Sequence, residues 1–270
     1  MVNGMQEFRN YFAEYSDSFT ILGGAACDEW FSQASFLFRT TKDIDVVLIL
    51  EAKNKEFFER LWSFLKAGGY QIWQRADGKK AFFRFLSPEN RNFPQMIEIL
   101  ARPEFAVAVP EGQEIVPIYV DDEISSLSAI LLDEAYYQLI LQYREISASG
   151  LPLVIPPALI LLKAKAYLNL AEMKNAGKFV KGDDLRKHRN DIFRLSYLLP
   201  PNEVFQTAEA VKMIYVCFWK SFLRHQKNGR LFKMHCINPH FRSFQRTFCW
   251  SVSEDILEFK ASSENCKSCS

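Results

Sequence analysis

The sequence predicts an α/β (α+β) fold, in which a mixed-sheet domain is followed by a helical subdomain. In the first half of the 270 residues, short apolar and β-branched runs alternate with segments of helical periodicity. In the second half, longer helical segments follow one another, and Ser, Gly and Pro cluster over residues 147–156. We therefore expect a sheet-containing domain over residues 1–150 and a helical part over residues 151–270.

The local pattern defines the elements of the first half in turn. A polar–apolar helix is predicted from Gln6 to about Ser16, and a second helix begins near Ala25, after the pair Gly23-Gly24. Helical periodicity returns over Asn54–Ala67 and ends at Gly68-Gly69, which is typical of a C-terminal cap. The predicted strands are Phe19–Leu22, Asp43–Leu50, Tyr70–Gln74, Lys80–Leu86, Gln95–Leu100 and Ile115–Val120.

Three helices are predicted in the second half. They span Ser126–Gln142, Pro157–Lys174 and Asp183–Leu199, and the last ends at Pro200-Pro201. After about Lys212 the composition changes, and Cys, Phe, Trp, His and Arg become frequent.

Composition excludes some functional classes. The formal net charge is +1, so no global field marks the chain as a general binder of nucleic acid or membrane. The apolar runs are too short to span a bilayer, and the first residues lack the pattern of a secretion signal. We expect a cytoplasmic protein with no membrane contact.

Two aspartates begin the predicted strand Asp43–Leu50. Because side chains alternate along a strand, Asp43 and Asp45 share one face, while Ile44 and Val46 share the other. Two carboxylates this close repel each other, so either a cation lies between them or one of them holds a proton. Mg²⁺ satisfies such a pair, since it prefers one or two carboxylates together with substrate phosphates.

A third acid, Glu98, lies on a later apolar strand, where Ile97 and Ile99 face away from it. An acid on a neighbouring strand completes the carboxylate set of two-metal phosphoryl or nucleotidyl transfer. Gly23-Gly24, at the start of a helix, offers exposed N–H groups and close backbone approach to a polyphosphate.

This order of strand, glycine pair, helix, D-x-D strand and later acid resembles the nucleotidyltransferase superfamily. Within it, the chain is similar to the AbiEii-type toxin and minimal nucleotidyltransferase family, which often carries R-x-T-x-D-I-D; the matching stretch is GGAAC…FRTTKDIDVVL. The helical part of that family is similar to IPPALILLKAKAYLNL and KGDDLRKHRNDIFRLSYLL. The resemblance extends from Phe19 to Leu199.

The resemblance implies Mg²⁺-dependent transfer of a nucleoside monophosphate from an NTP to an acceptor hydroxyl. It assigns two Mg²⁺ ions to Asp43, Asp45 and Glu98, and Glu98 would also help to activate the acceptor. Lys163, with Lys165 as the near alternative, would neutralise phosphate charge, and Asp191 would reach the nucleotide or the acceptor. The residues assigned to nucleotide binding are Gly23, Gly24, Arg39, Thr41 and Lys42.

The resemblance leaves the acceptor open. It is an RNA end such as that of a tRNA, a protein side chain or a small molecule. If the chain is the toxin of a toxin–antitoxin pair, an antitoxin protein is an expected partner.

Simpler explanations exist for the residues of the first half. Asp43 and Asp45 would also suit a solvated strand end, and a glycine pair is commonly just a tight turn. Arg39 and Lys42 are explained equally well as loop charges, as phosphate ligands or as ion-pair partners across the site.

The helical residues have simpler explanations too. Lys163 would extend its stem over the core to reach water, as buried lysine stems often do. Asp191 would form a surface pair with Lys187, one turn away. His188 is interpreted as a half-buried, hydrogen-bonded histidine.

Two rival functions use the same residues. One is a non-catalytic module that binds a nucleotide or a partner, and the other is a metal-dependent hydrolase or phosphotransferase. A zinc site in the C-terminal region is disfavoured, because its candidate ligands match no spacing of a closed site. These candidates are His235, Cys236, His240, Cys249, Cys266 and Cys269.

Overall fold

The computed structural model describes seven parts of the chain, which are residues 2–49, 55–74, 80–100, 107–109, 113–115, 133–200 and 205–224. Their strands are β1 (Phe19–Leu22), β2 (Asp43–Leu48), β3 (Gln71–Gln74), β4 (Lys80–Leu86), β5 (Met96–Leu100), β6 (Val107–Val109), β7 (Gln113–Ile115), β8 (Arg144–Ile146) and β9 (Pro152–Val154). Their helices are α1 (Met5–Phe12), α2 (Gly23–Gln33), α3 (Lys55–Gly68), α4 (Glu134–Gln142), α5 (Pro156–Asn175), α6 (Gly182–Leu195) and α7 (Glu209–Arg224).

Seven of these strands form one mixed sheet, in the order β3-β4-β5-β2-β1-β9-β8. The central strand β2 pairs in parallel with β5 and antiparallel with β1. The strands β6 and β7 form a separate hairpin. The predicted mixed α/β sheet followed by helices is therefore confirmed.

Most predicted elements lie where the pattern indicated. The strands Phe19–Leu22 and Lys80–Leu86 have the predicted bounds. The first helix stops at Phe12 and continues as a 3₁₀ turn, Ala13–Tyr15. Gly69 adopts φ +63°, the left-handed conformation that ends α3 as predicted.

Two strands were missed in the segment expected to be a domain boundary. The hairpin β8–β9 spans Arg144 to Val154, and Ile21 of β1 pairs in parallel with Leu153 of β9. The chain therefore adds a strand to the sheet before the helical part begins. The division near residue 150 stays a prediction.

Some predicted elements fall outside the described residues. Of the predicted strand Ile115–Val120, the described part is Ile115, the last residue of β7. The helix predicted from Ser126 is described from Glu134, where the Asp133 side chain accepts a hydrogen bond from the Ala135 N–H at 2.9 Å. The cysteine and histidine zinc candidates after residue 224 also lie outside the described residues.

The helices α1 and α3 pack on one face of the sheet through an aromatic cluster. Phe8 and Phe12 of α1 contact Phe19 of β1, with ring centroids 5.8 and 6.0 Å apart, and Phe57 stacks on Phe19 at 5.7 Å. By strand alternation, the buried Leu48 shares this face with its register partner Phe19.

Asp43 and Asp45 share the opposite face of β2, on which α2 and α5 pack. Cys27 of α2 and Leu159 of α5 are buried there. The helix α7 closes the helical part, since Phe218 contacts Tyr167 of α5 and Trp219 contacts Phe193 of α6, at 5.2 and 5.6 Å. The aromatic-rich segment is thus a packing helix as far as Arg224.

Among the described residues, no helix is long and apolar enough to cross a membrane.

Candidate active site

Three carboxylates lie at one edge of the sheet, on neighbouring strands. Asp45 of β2 and Glu98 of β5 are register partners, and Asp43 lies two residues before Asp45. Adjacent strands run about 4.8 Å apart, and register partners point to the same face. The structure therefore brings together the three acids that the sequence selected.

The ionised forms of the aspartates at this edge are disfavoured. Burial and the Glu98 charge raise the pKa of Asp45 to about 7, against an ordinary value of 3.8. The same two causes raise the pKa of Asp43. Removing these carboxylates from water without enough positive charge is costly.

Arg84 of β4 supplies part of the missing charge. It is the register partner of Glu98, and its Nη2 lies 3.1 Å from Glu98 Oε1. Both side chains are largely buried. The sequence analysis missed this residue, although a lone arginine in the apolar strand KAFFRFL was a usable signal.

Gly23 allows the N-terminus of α2 to reach Asp45. Its φ is +70°, and a Cβ added there would overlap Asp45 Oδ2. The first N–H groups of a helix carry partial positive charge, which favours a nearby carboxylate. Glycine at this position is thus explained by close approach as well as by backbone conformation.

Gly24 is similarly enclosed by the loop before β2. A Cβ added to it would lie 2.6 Å from Thr41 Oγ1 and 3.6 Å from an Arg39 guanidinium nitrogen. The space next to the glycine pair is therefore taken by Asp45, Thr41 and Arg39. A polyphosphate at the start of α2 would have to lie against these side chains.

Asp191 of α6 is the centre of a buried ion-pair cluster. Arg39 donates to it from Nε at 2.9 Å and from Nη2 at 2.7 Å, and Lys163 Nζ donates at 3.1 Å. Arg194 Nη1 adds a contact at 3.3 Å. Although burial alone would raise it, Lys163 and Arg39 hold the pKa of Asp191 below its ordinary value.

This cluster overturns two of the simpler explanations. Lys163 is 3% exposed and its ammonium contacts Asp191, so it does not extend to water. The proposed surface pair of Asp191 with Lys187 is wrong, because Asp191 is fully buried and Lys187 bonds to Asp184 at 3.3 Å. Lys165, the alternative lysine, lies over the Tyr136 ring at 5.9 Å.

Lys163 also faces the carboxylate edge. Its charge lowers the pKa of Asp45, against the larger effects of burial and Glu98. Lys163 thus contacts Asp191 on α6 and is close enough to Asp45 on the sheet to act on its pKa. The buried Lys163 therefore interacts both with Asp45 of the sheet and with Asp191 of the helical part.

Arg39 and Lys42, both in the loop before β2, make different contacts in the site. Arg39 binds Asp191, which favours the ion-pair interpretation over that of a simple loop charge. Lys42 is exposed, and its charge acts on the neighbouring Asp43. Lys187 of α6 also acts on Asp43, so two lysines, from the loop and from α6, lower the pKa of this carboxyl.

His188 lies beside this cluster. It is half-buried as predicted, but its Nδ1 is buried with no hydrogen-bond partner among the described residues. Burial and the Lys163 charge lower its pKa to about 3, so the imidazole is neutral at physiological pH. A neutral imidazole with a free nitrogen can accept or donate one hydrogen bond to a ligand.

Among the described residues, no group of three His, Cys, Asp or Glu side chains forms a set that could hold a metal ion. Glu98 is engaged by Arg84, which leaves Asp43 and Asp45 as the pair facing the mouth of the site. Two carboxylates suffice for Mg²⁺ when phosphate oxygens and water complete its octahedron.

No family model matches the chain, and no curated protein matches it. Similar solved structures include the antibiotic-resistance factor ANT(2'')-Ia, at 12% identity and a TM-score of 0.36 over 88% of this chain and 100% of that one. Another is an antigenic nucleotidyltransferase-like protein from Paracoccidioides brasiliensis, at 15% identity and a TM-score of 0.40 over 81% and 88%. The Megavirus polyadenylate synthase matches at 12% identity and a TM-score of 0.29, over 97% of this chain and 48% of that one.

Proposed function

We propose that this chain is a Mg²⁺-dependent nucleotidyltransferase of the AbiEii-type, minimal nucleotidyltransferase kind. It would transfer a nucleoside monophosphate from an NTP to an acceptor hydroxyl and release pyrophosphate. The observation that carries the proposal is the pair Asp45–Glu98, with Asp45 held at a pKa of about 7 beside the N-terminus of α2 and Lys163. Perturbed carboxylates next to fixed positive charge are typical of catalytic sites.

The donor set fits a magnesium ion. Asp43 and Asp45 would hold it, because both carboxylates point to one face and both have raised pKa values. When bound, the ion supplies charge neutralisation at the reacting phosphate. Without it, the two carboxylates repel each other and the negative charge of a triphosphate.

The cations of the site suit a triphosphate. Lys163 offers donors beyond the one bonded to Asp191, since an ammonium has three. Lys42 and Lys187, at the mouth beside Asp43, would take the phosphates of an entering nucleotide. Positioning and charge neutralisation are the main contributions of a protein to this class of reaction.

Two roles differ from those implied by the resemblance. Asp191 is enclosed by three cations, so its role is to position Lys163 and Arg39 rather than to touch the nucleotide or acceptor. Glu98 is held by Arg84, so this pair would orient the acceptor hydroxyl while balancing charge next to Asp45.

The test is transfer of label from α-³²P-NTPs, each supplied separately, to total cell RNA, total protein and small metabolites. Asp45→Asn is the site variant. Asp17→Asn is the matched control, since that carboxylate is 95% exposed and its nearest cation, Arg144 Nη2, lies 4.0 Å away. We expect Mg²⁺-dependent labelling by the wild type and by the control, and a loss of at least about 100-fold with Asp45→Asn.

The same experiment separates the rival functions. Release of phosphate or a nucleoside diphosphate, instead of pyrophosphate, would identify a hydrolase or a phosphotransferase. Mg²⁺-dependent binding of NTP without transfer would identify a binding module. A toxin role predicts that expression arrests growth through Asp45 and that a co-expressed antitoxin prevents the arrest.

A further inference from the structure

A cleft lies directly beside Asp43, on the side of β2 that faces β5. Its volume is about 740 Å³, and its lining includes Asp43, Ser87, Arg91, Phe93, Gln95 and Met96. Met96 is the register partner of Asp43, so the cleft is continuous with the carboxylate edge. This volume lies within the range of small-molecule sites, roughly 300–1,000 Å³.

The cleft lies on the β5 side of β2, and Lys163 of α5 acts on the aspartates from the helical part. Along the sheet edge the strand order is β4-β5-β2-β1, and the cleft is built by the loop from β4 to β5. Gly23, at the start of α2, follows β1 on the other side of β2, and Lys163, which is paired with Asp191, acts on Asp45.

This arrangement matches the geometry of transfer. In a displacement at phosphorus, the attacking and leaving oxygens lie roughly in line on opposite sides of the phosphorus atom. If pyrophosphate leaves toward Lys163, the attacking hydroxyl must approach from the cleft. The inference thus rests on the proposed function and adds the position of the second substrate.

The walls of the cleft are fixed by hydrogen bonds of the β4–β5 loop. Asn3 Nδ2 donates to Arg91 O at 2.9 Å, Tyr70 Oη donates to Pro94 O at 2.6 Å, and the Ser87 N–H donates to Gln95 O at 3.1 Å. Ser87 itself adopts φ +49°, a strained conformation for a residue with a Cβ. A preformed cleft is what a small substrate requires.

The lining indicates the class of the acceptor. Phe93 and Met96 offer an apolar wall, while Ser87, Gln95 and Arg91 offer donors for hydroxyl groups. Among the described residues of the lining, Arg91 is the basic one. A nucleic acid end would require cations along its phosphate backbone; the β4–β5 loop offers Arg91, while Lys42 and Lys187 act on Asp43 from the loop before β2 and from α6.

We infer that the cleft beside Asp43 binds the acceptor, and that this acceptor is a small, hydroxyl-bearing ring compound rather than an RNA end or a protein. In the transfer, the acceptor oxygen forms a bond to the α-phosphorus as the bond to the bridging oxygen breaks. Pyrophosphate leaves with the electron pair of that bond, and the hydroxyl proton goes to the Asp43–Asp45–Glu98 edge or to water.

Gln95→Trp tests the inference, because it fills the cleft from an exposed position. Asn92→Trp is the matched control, on the same loop, exposed and outside the lining. With α-³²P-ATP and a pool of nucleosides, hexoses and aminosugars, we expect Gln95→Trp to raise the acceptor KM at least 10-fold. The Kd for Mg²⁺-ATP by calorimetry should stay within twofold of the wild-type value, and Asn92→Trp should change neither quantity.

Other outcomes overturn the inference in distinguishable ways. Label on RNA or protein, or an unchanged acceptor KM with Gln95→Trp, rejects the cleft assignment but keeps the transferase. Absence of both transfer and Mg²⁺-ATP binding rejects the proposed function and the inference together. If ATP binds without transfer, saturation-transfer NMR with the same pool and a non-hydrolysable ATP analogue shows which compounds bind. If Gln95→Trp abolishes the binding of none of these compounds, the inference is rejected.

Discussion

Asp45 and Glu98 are register partners on two parallel strands, and burial together with the charge of Glu98 raises the pKa of Asp45 to about 7. Arg84 pairs with Glu98, and Arg84 and Lys163 both lower the pKa of Asp45, but these charges do not offset burial and the Glu98 charge. The fold therefore keeps a carboxylate where its ionised form is costly. Such a group destabilises the metal-free protein, and binding of a cation beside it would remove that cost.

Asp45→Asn is expected to stabilise the metal-free protein at pH 8. The folded pKa of Asp45 lies above its ordinary value of 3.8, so the stability associated with this group is full below pH 3.8 and is lost as pH rises through 7. Removing the charge should restore on the order of 2 kcal/mol, after allowance for solvent screening. Thermal unfolding in EDTA should show a Tm roughly 4 to 8 °C higher.

The same comparison at pH 5 provides the check on the sign. There Asp45 is largely protonated in the folded protein but mostly ionised in the unfolded chain, so the gain should be clearly smaller than at pH 8 and should vanish only below about pH 3.8. Asp17→Asn, at an exposed position, should leave Tm unchanged at both pH values. A lower Tm for Asp45→Asn at pH 8 would show that the edge is not strained.

Binding of Mg²⁺-ATP is expected to strengthen as pH rises through 7. The metal must displace the proton of Asp45, so the apparent affinity grows until that carboxyl is ionised. Glu98→Gln leaves the larger cause of the raised pKa, burial, but removes the second cause, the Glu98 charge, so the midpoint should move to lower pH. Calorimetry between pH 5.5 and 8.5 measures both midpoints, and a midpoint that does not move would contradict the coupling.

How far the sequence predicts this structure depends on how local each signal is. The strands Phe19–Leu22 and Lys80–Leu86 have their predicted bounds because alternation and flanking turns define them locally. The strand Pro152–Val154 was missed because its three residues lie among turn-forming ones, and its partner Ile21 is far away in the chain.

In the candidate site, too, the residues marked by a local pattern were predicted and the long-range contacts were not. Asp43, Asp45 and Glu98 were found because acids interrupt strongly apolar strands. The pairing of Arg39 with Asp191, 152 residues apart, and that of Arg84 with Glu98 depend on how elements pack and register. No periodicity in the sequence encodes those contacts, so the mutual pairing of Arg39, Lys163 and Asp191 was not predicted and Arg84 was overlooked.

Asp191→Ala is expected to be strongly destabilising. It would leave Lys163 and Arg39 buried without their shared partner, and breaking a buried pair in this way costs about 3–5 kcal/mol. The pKa of Asp191 is lowered, so its contribution is lost only as pH falls below 3.8, and the penalty should be constant from pH 5 to pH 8. Urea unfolding at pH 5 and pH 8 measures it.

Lys187→Ala is the control for that measurement. Its pair with Asp184 lies on the surface, so the cost should be below about 0.5 kcal/mol. If Asp191→Ala cost no more than Lys187→Ala, the buried cluster would contribute nothing to the stability of the helical part.

Gly23→Ala tests whether the approach of α2 to Asp45 requires glycine. An alanine at φ +70° carries a left-handed strain of roughly 1–2 kcal/mol, and its Cβ would also overlap Asp45 Oδ2. Gly177→Ala has the same strain at φ +78° with nothing within 4 Å of its Cβ, so it isolates the backbone cost. The difference between the two free energies of unfolding should be about 1–3 kcal/mol, the usual cost of overpacking. The double variant Gly23→Ala/Asp45→Ala lacks the overlapping oxygen, so most of that difference should disappear. If the difference persists, glycine is required at this position for the backbone turn alone, and not for the approach of α2 to the carboxylate.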